Sequence, residues 1–92
     1  MKPSELMLKG YAMVGKQCYG RYYEGDGRNP TAVCAVGAMN LAVTGCADDD
    51  FYMLREKMVV RWYALFGFGI ADTNDEGMAI EDIAGILASE GM

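Results

Sequence analysis

The sequence predicts a mainly α protein: a compact bundle of about four helices, with a short β-strand or small hairpin between helices 1 and 2. Three observations carry that prediction. Apolar residues recur at spacings of three and four in four separate segments. A glycine stands at or just beyond the end of each segment, at Gly15, Gly45, Gly67 and Gly91. The remaining stretch, KQCYGRYYEGDGRNP, clusters aromatics before turn-forming residues and falls between the first two segments.

The first helix is read from PSELMLKGYAMVG. Pro3 or Ser4 opens it, since proline suits a first turn and serine caps one. Leu6, Gly10, Met13 and Val14 fall at helical spacing, with Met7 and Tyr11 beside them. Gly10 weakens this helix by up to about 1 kcal/mol unless a neighbour packs closely there. The aromatic stretch then reads as a strand running into a loop, with few residues left before Pro30 for a second strand. Asn29 and Pro30 look like the cap and first position of a second helix, NPTAVCAVGAMNLAVTG, closed by Gly45. Its small Ala and Gly residues let a neighbour approach, so it is expected to be the central buried helix.

The third helix has Asp48, Asp49 and Asp50 as cap and anionic first turn. Phe51, Leu54, Met58, Trp62 and Leu65 form its apolar stripe, with Arg55, Lys57 and Arg61 on wetter faces. FGFGIADTNDEG, residues 66–77, reads as a loop with local turns at Asn74 and Asp75. The last helix spans about Ala79 to Ser89 and buries Ile80, Ile83, Ala84 and Leu87.

At 92 residues and 52% apolar, the chain reads as one globular domain over 1–92, with ample core material. Its three cysteines are expected to be reduced thiols. No apolar run approaches the ~20 residues of a membrane span, and Glu5 and Lys9 interrupt any signal-peptide core. A cytoplasmic setting and no membrane partner are therefore expected. The net charge of −5 is unevenly placed. Residues 1–45 carry five bases and three acids, whereas 46–92 carry three bases and ten acids. Such a surface repels a nucleic-acid backbone and attracts a basic partner. It also keeps an apolar small protein in solution.

Cys34 lies near a helix start, where a thiol pKa can fall. The chain has no histidine, however, and no nucleophile–base pair is evident, so no catalytic residue is assigned and an enzyme is not expected. Cys34 reads as core. The cysteines are 16 and 12 residues apart, without the close pairing of structural zinc sites, so no metal site or cofactor is assigned. DTNDEGMAIEDI resembles a calcium loop but fails at its closing position, which is Ile83. YGRYYEGDGR interleaves Tyr19, Tyr22 and Tyr23 with Arg21 and Arg28. Such a pattern can stack on bases and hold phosphates. It equally describes a half-buried strand whose rings cover the core while the arginines face water.

Taken in order, these residues resemble a family of small uncharacterised phage, prophage and bacterial proteins. The likeness rests on Gly15, Cys18 and Gly20; on CAVGA from Cys34 to Ala38; on Asn74-Asp75; and on Glu81-Asp82-Ile83. Thr73 stands where that family usually has a tryptophan, and Ala79 where a capping Ser or Thr is usual. The resemblance implies a fold and a phage-like setting and carries no activity. The acidic second half points to a non-enzymatic protein that occupies a basic surface, and in a phage-like setting that suggests a host protein as target, as for an anti-CRISPR inhibitor of host defence. Asp72, Asp75, Glu76, Glu81 and Asp82 are the expected partner-binding residues, with exposed aromatics such as Tyr22, Tyr23 or Phe68 as anchors. The alternative is a small-ligand or nucleotide-binding protein built on Arg21, Tyr22, Tyr23 and Arg28. Eight methionines and FGFGI leave apolar surface that also suits a homo-oligomer.

Overall fold

A computed structural model describes the backbone of residues 1–48 and 52–92, and the side chains of 1–48 and 56–92. The predicted cap residues Asp49 and Asp50, and the side chains of Phe51, Leu54 and Arg55, lie outside the described residues. The fold is mainly helical, with a two-stranded antiparallel hairpin between the first two helices, as the sequence predicts.

Helix α1 spans Pro3–Val14. Pro3 takes the first helical position, where its missing N–H costs nothing. Gly15 closes the helix at φ 82°, its N–H donating to the Tyr11 carbonyl at 2.7 Å. Leu6, Met7 and Gly10 are buried against α2 (Ala35–Thr44) and α5 (Ile80–Ser89). Met13, placed in the buried stripe by spacing, falls outside that covered face and is exposed.

The hairpin pairs β1 (Tyr23–Gly25) with β2 (Pro30–Val33), setting Tyr23 opposite Val33 and Glu24 opposite Ala32. This corrects the expectation that Asn29 and Pro30 open the second helix. Proline fixes a φ that suits a strand start as well as a helix start. Long-range pairing decides between them: the Val33 N–H donates to the Lys16 carbonyl, and the Cys18 N–H donates to the Val33 carbonyl. Those bonds hold Val33 extended, bridged to Gln17 in parallel, and α2 starts five residues after Pro30. Cys34 is its N-cap, with Sγ accepting from the Gly37 N–H at 3.4 Å, and Gly45 closes it as predicted.

Helix α3 spans Tyr52–Phe66 and ends at Gly67, at φ 77°. Met58 and Trp62 are buried as predicted, whereas Leu65 is exposed, since it lies off the face that turns inward. Residues 70–75, expected to be loop, form a short helix α4 (Ile70–Asp75). One turn and a half leaves too little periodicity to read, and the two preceding Gly-containing pairs dominate the local signal. Here the Asp72 carboxylate reaches back to the Gly69 N–H at 3.4 Å. Helix α5 begins after Ala79 and buries Ile80, Ile83, Ala84 and Leu87. Arg61 of α3 and Glu90 form an ion pair at 2.7 Å.

The main core gathers Met7, Met39, Met58, Trp62, Ile83 and Leu87. A second cluster forms around Val33, Ala38, Leu41 and Ala47. Two glycines permit these contacts. A Cβ at Gly10 would collide with the Ala38 carbonyl, and one at Gly37 with the Tyr22 carbonyl. The close neighbour that Gly10 requires is therefore the backbone of α2.

Candidate functional site

Asn74 holds the region together. It is fully buried in α4, and its Oδ1 accepts from Gln17 Nε2 at 2.7 Å and from the Ala35 N–H at 3.0 Å. Its Nδ2 donates to the Cys18 carbonyl at 2.8 Å. The carboxamide thus spans the segment around Cys18 and the first turn of α2. Gln17 continues the network: Nε2 also donates to the Met78 carbonyl at 2.9 Å, and Oε1 accepts from the Ile80 N–H at 3.1 Å. A single side chain so ties the first amide of α5 to α4. Trp62 supplies the third anchor, donating from Nε1 to Thr73 Oγ1 at 2.9 Å. Thr73 in turn donates to the Gly69 carbonyl.

This scaffold sets three carboxylates on one side of α4. Asp72, Asp75 and Glu76 stand at spacings of three and four, which share a helix face. With Phe68 they line an open groove of about 580 Å³. Phe68 is 44% exposed and continues an aromatic row: Trp62 to Phe66 at 4.7 Å between ring centres, then Phe66 to Phe68 at 6.2 Å. The row runs from core to surface. Asp75 Oδ1 accepts from the Gly20 N–H at 2.8 Å, which fixes it at the groove's edge. No lysine or arginine pairs with these three acids among the described residues.

Of the five acids expected to bind a partner, Asp72, Asp75 and Glu76 meet in the groove. Glu81 and Asp82 are exposed on the first turn of α5 and do not line it. Phe68, one of the three aromatics named as anchors, is exposed and lines the groove with the acids. Tyr22 and Tyr23 do not serve as free anchors: both are half-buried, packed against the two core clusters.

The Tyr/Arg segment divides. Arg21 and Tyr22 line a cavity of about 190 Å³ with Gly20, Cys34, Ala71 and Asp75. Tyr23 lies in β1, and Arg28 lies at the hairpin turn, where its N–H donates to Asp26 Oδ1. Neither lines the cavity. Asp75 borders both cavity and groove.

Cys34 is 2% exposed. Burial pushes its thiol pKa up, and Asp75 adds to this, against the N–H groups of Gly37 and Val36. Cys18, also buried, is pushed up from 9.0 to about 11 by burial first and by Cys34 next. Both are protonated at neutral pH, the opposite of an activated nucleophile. Among the described residues no three Cys, Asp or Glu side chains converge to hold a metal ion. No helix among them is long and apolar enough to cross a membrane.

No protein-family model, no curated protein and no solved structure matches this chain.

Proposed function

We propose that this chain is a small acidic, non-enzymatic binding protein that acts by occupying a basic surface of another protein. The observation that supports this is the groove of Phe68, Asp72, Asp75 and Glu76, where three like charges share one face and none forms an ion pair with a lysine or arginine among the described residues. Like charges at such spacings cost a helix about 0.2–0.5 kcal/mol per pair. A basic partner removes that cost and brings long-range attraction as well. Phe68 supplies an apolar contact beside the charges. On the resemblance noted above, the protein is phage- or prophage-encoded and works in a bacterial cytoplasm. Its partner is then a host protein, with components of a defence system such as a CRISPR complex as the first candidates. Nucleic acid is not its direct ligand in this reading.

The test is capture from a bacterial lysate with the wild-type protein and a D72N/E76Q variant in parallel. Asp75 is left in place because it also holds the Gly20 amide. Wild type is expected to retain identified proteins with basic surfaces, releasing them as salt rises from about 0.05 to 0.5 M, where charge attraction is screened. The variant is expected to retain at least tenfold less. Identical retention by both would overturn the proposal.

A second reading, small-ligand binding, draws on the cavity that joins Arg21 and Tyr22. At about 190 Å³ it is smaller than the ~300 Å³ and upward typical of ligand pockets, and Tyr23 and Arg28 stand apart from it. A thermal-shift panel of nucleotides separates the two readings.

A further inference from the structure

We propose that Cys18 and Cys34 are a redox pair: Cys34 is oxidised by hydrogen peroxide and Cys18 resolves it to an intramolecular disulfide.

The backbone register places the two side by side. Gln17 and Val33 are partners in a parallel bridge, with the Val33 N–H donating to the Lys16 carbonyl and the Cys18 N–H to the Val33 carbonyl. Cys18 and Cys34 are the next residues along each segment. Side chains alternate across extended chain, so both leave on the face opposite Gln17 and Val33. Their burial agrees: both cysteines belong to the main core cluster, whereas Val33 belongs to the second. Paired extended segments run about 4.8 Å apart, inside the Cα separation of about 4.4–6.8 Å that a disulfide spans.

Each sulfur makes a backbone hydrogen bond that the disulfide would replace. Cys18 Sγ donates to the Arg21 carbonyl at 3.5 Å, and Cys34 Sγ accepts from the Gly37 N–H at 3.4 Å. Cys34 also lines the cavity of about 190 Å³ bordered by Gly20, Arg21, Tyr22 and Asp75, which has room for a molecule of two oxygen atoms. Cys46 is different. It is half-buried near Gly27 and takes no part in the pair.

The chemistry closes with peroxide as oxidant. The Cys34 thiolate attacks one peroxide oxygen, the O–O bond breaks, and hydroxide leaves with the thiol's proton as water. The product is a Cys34 sulfenic acid. The Cys18 thiolate then attacks Cys34 Sγ, the S–O bond breaks, and a second hydroxide leaves as water. Two thiols lose two electrons and peroxide gains them. Because both thiols are protonated at neutral pH, the reaction is slow there and accelerates as pH rises.

The test uses the folded full chain as a C46S variant, treated with hydrogen peroxide at pH 8, then denatured and alkylated. Mass spectrometry is expected to find a loss of two hydrogens, no alkylatable thiol, and a link between tryptic peptides 17–21 and 29–55. The oxidised protein is expected to melt at a higher temperature than the reduced one, and dithiothreitol should reverse both changes. In a C18S/C46S variant the reaction should stop at a sulfenic acid trapped by dimedone. Cys18 remaining alkylatable, sulfinic acid without a disulfide, disulfide-linked dimers, or a lower melting temperature on oxidation would each overturn the proposal.

Discussion

Asn74 illustrates what a single buried carboxamide can do. Its acceptor serves Gln17 and the first amide of α2, and its donor serves the Cys18 carbonyl. Asn74→Ala removes the partner of the Ala35 N–H and of the Cys18 carbonyl, each costing about 1–3 kcal/mol when buried and unpaired, and takes one of two acceptors from Gln17 Nε2. The expected loss is about 3–5 kcal/mol, read from urea denaturation as a lower midpoint at unchanged slope. That is a large part of the stability of a domain this size. The sequence made Asn74 legible only as a turn residue, because those partners lie 39 to 57 positions away. Cys34 was more readable. Its run of small apolar neighbours marked it as interior, which it is. Its capping role was hidden, because cysteine is not among the residues that usually cap a helix.

Between elements, closeness is set by two glycines. Gly10 meets the Ala38 carbonyl and Gly37 meets the Tyr22 carbonyl, and in each the obstacle is backbone rather than a side chain that can turn away. Gly10→Ala and Gly37→Ala are therefore each expected to cost about 3 kcal/mol or more, because the helix or hairpin must move bodily. Gly85→Ala is the contrasting case. Gly85 lies within α5 and faces open space, so the change should stabilise by about 0.5–1 kcal/mol. Thermal or chemical denaturation of the three variants would check the difference in sign. The helical periodicity of α1, α3 and α5 was visible because each runs ten residues or more. Local chemistry misled at Asn29-Pro30, where a helix start and a strand start look alike until Lys16 and Cys18 claim the Val33 backbone. The groove's helix, α4, was too short to declare itself.

For the molecule as a whole, pH acts through the two buried thiols. Cys18 in the folded protein is raised from 9.0 to about 11, and Cys34 is raised too. A raised thiol pKa means that the folded state binds the proton more tightly. The associated stability is present below about pH 9 and declines as pH rises toward 11, since the unfolded chain ionises first. Wild type should lose more stability between pH 8 and 11 than Cys18→Ala does, as melting temperatures at the two values would reveal. The imbalance of charge between the two halves was plain from composition. Which acids share a face depends on α4, so only Asp72, Asp75 and Glu76 of the five converged.

Trp62 is the sole tryptophan of the chain, and it is sealed beneath the aromatic row, bonded to Thr73. The molecule thus contains its own optical gauge, placed where α3 meets α4. A red shift in emission while far-ultraviolet dichroism holds steady would signal that this seam had parted before the remaining helices melted. Whatever docks beside Phe68 would be felt two rings away, with no dye attached.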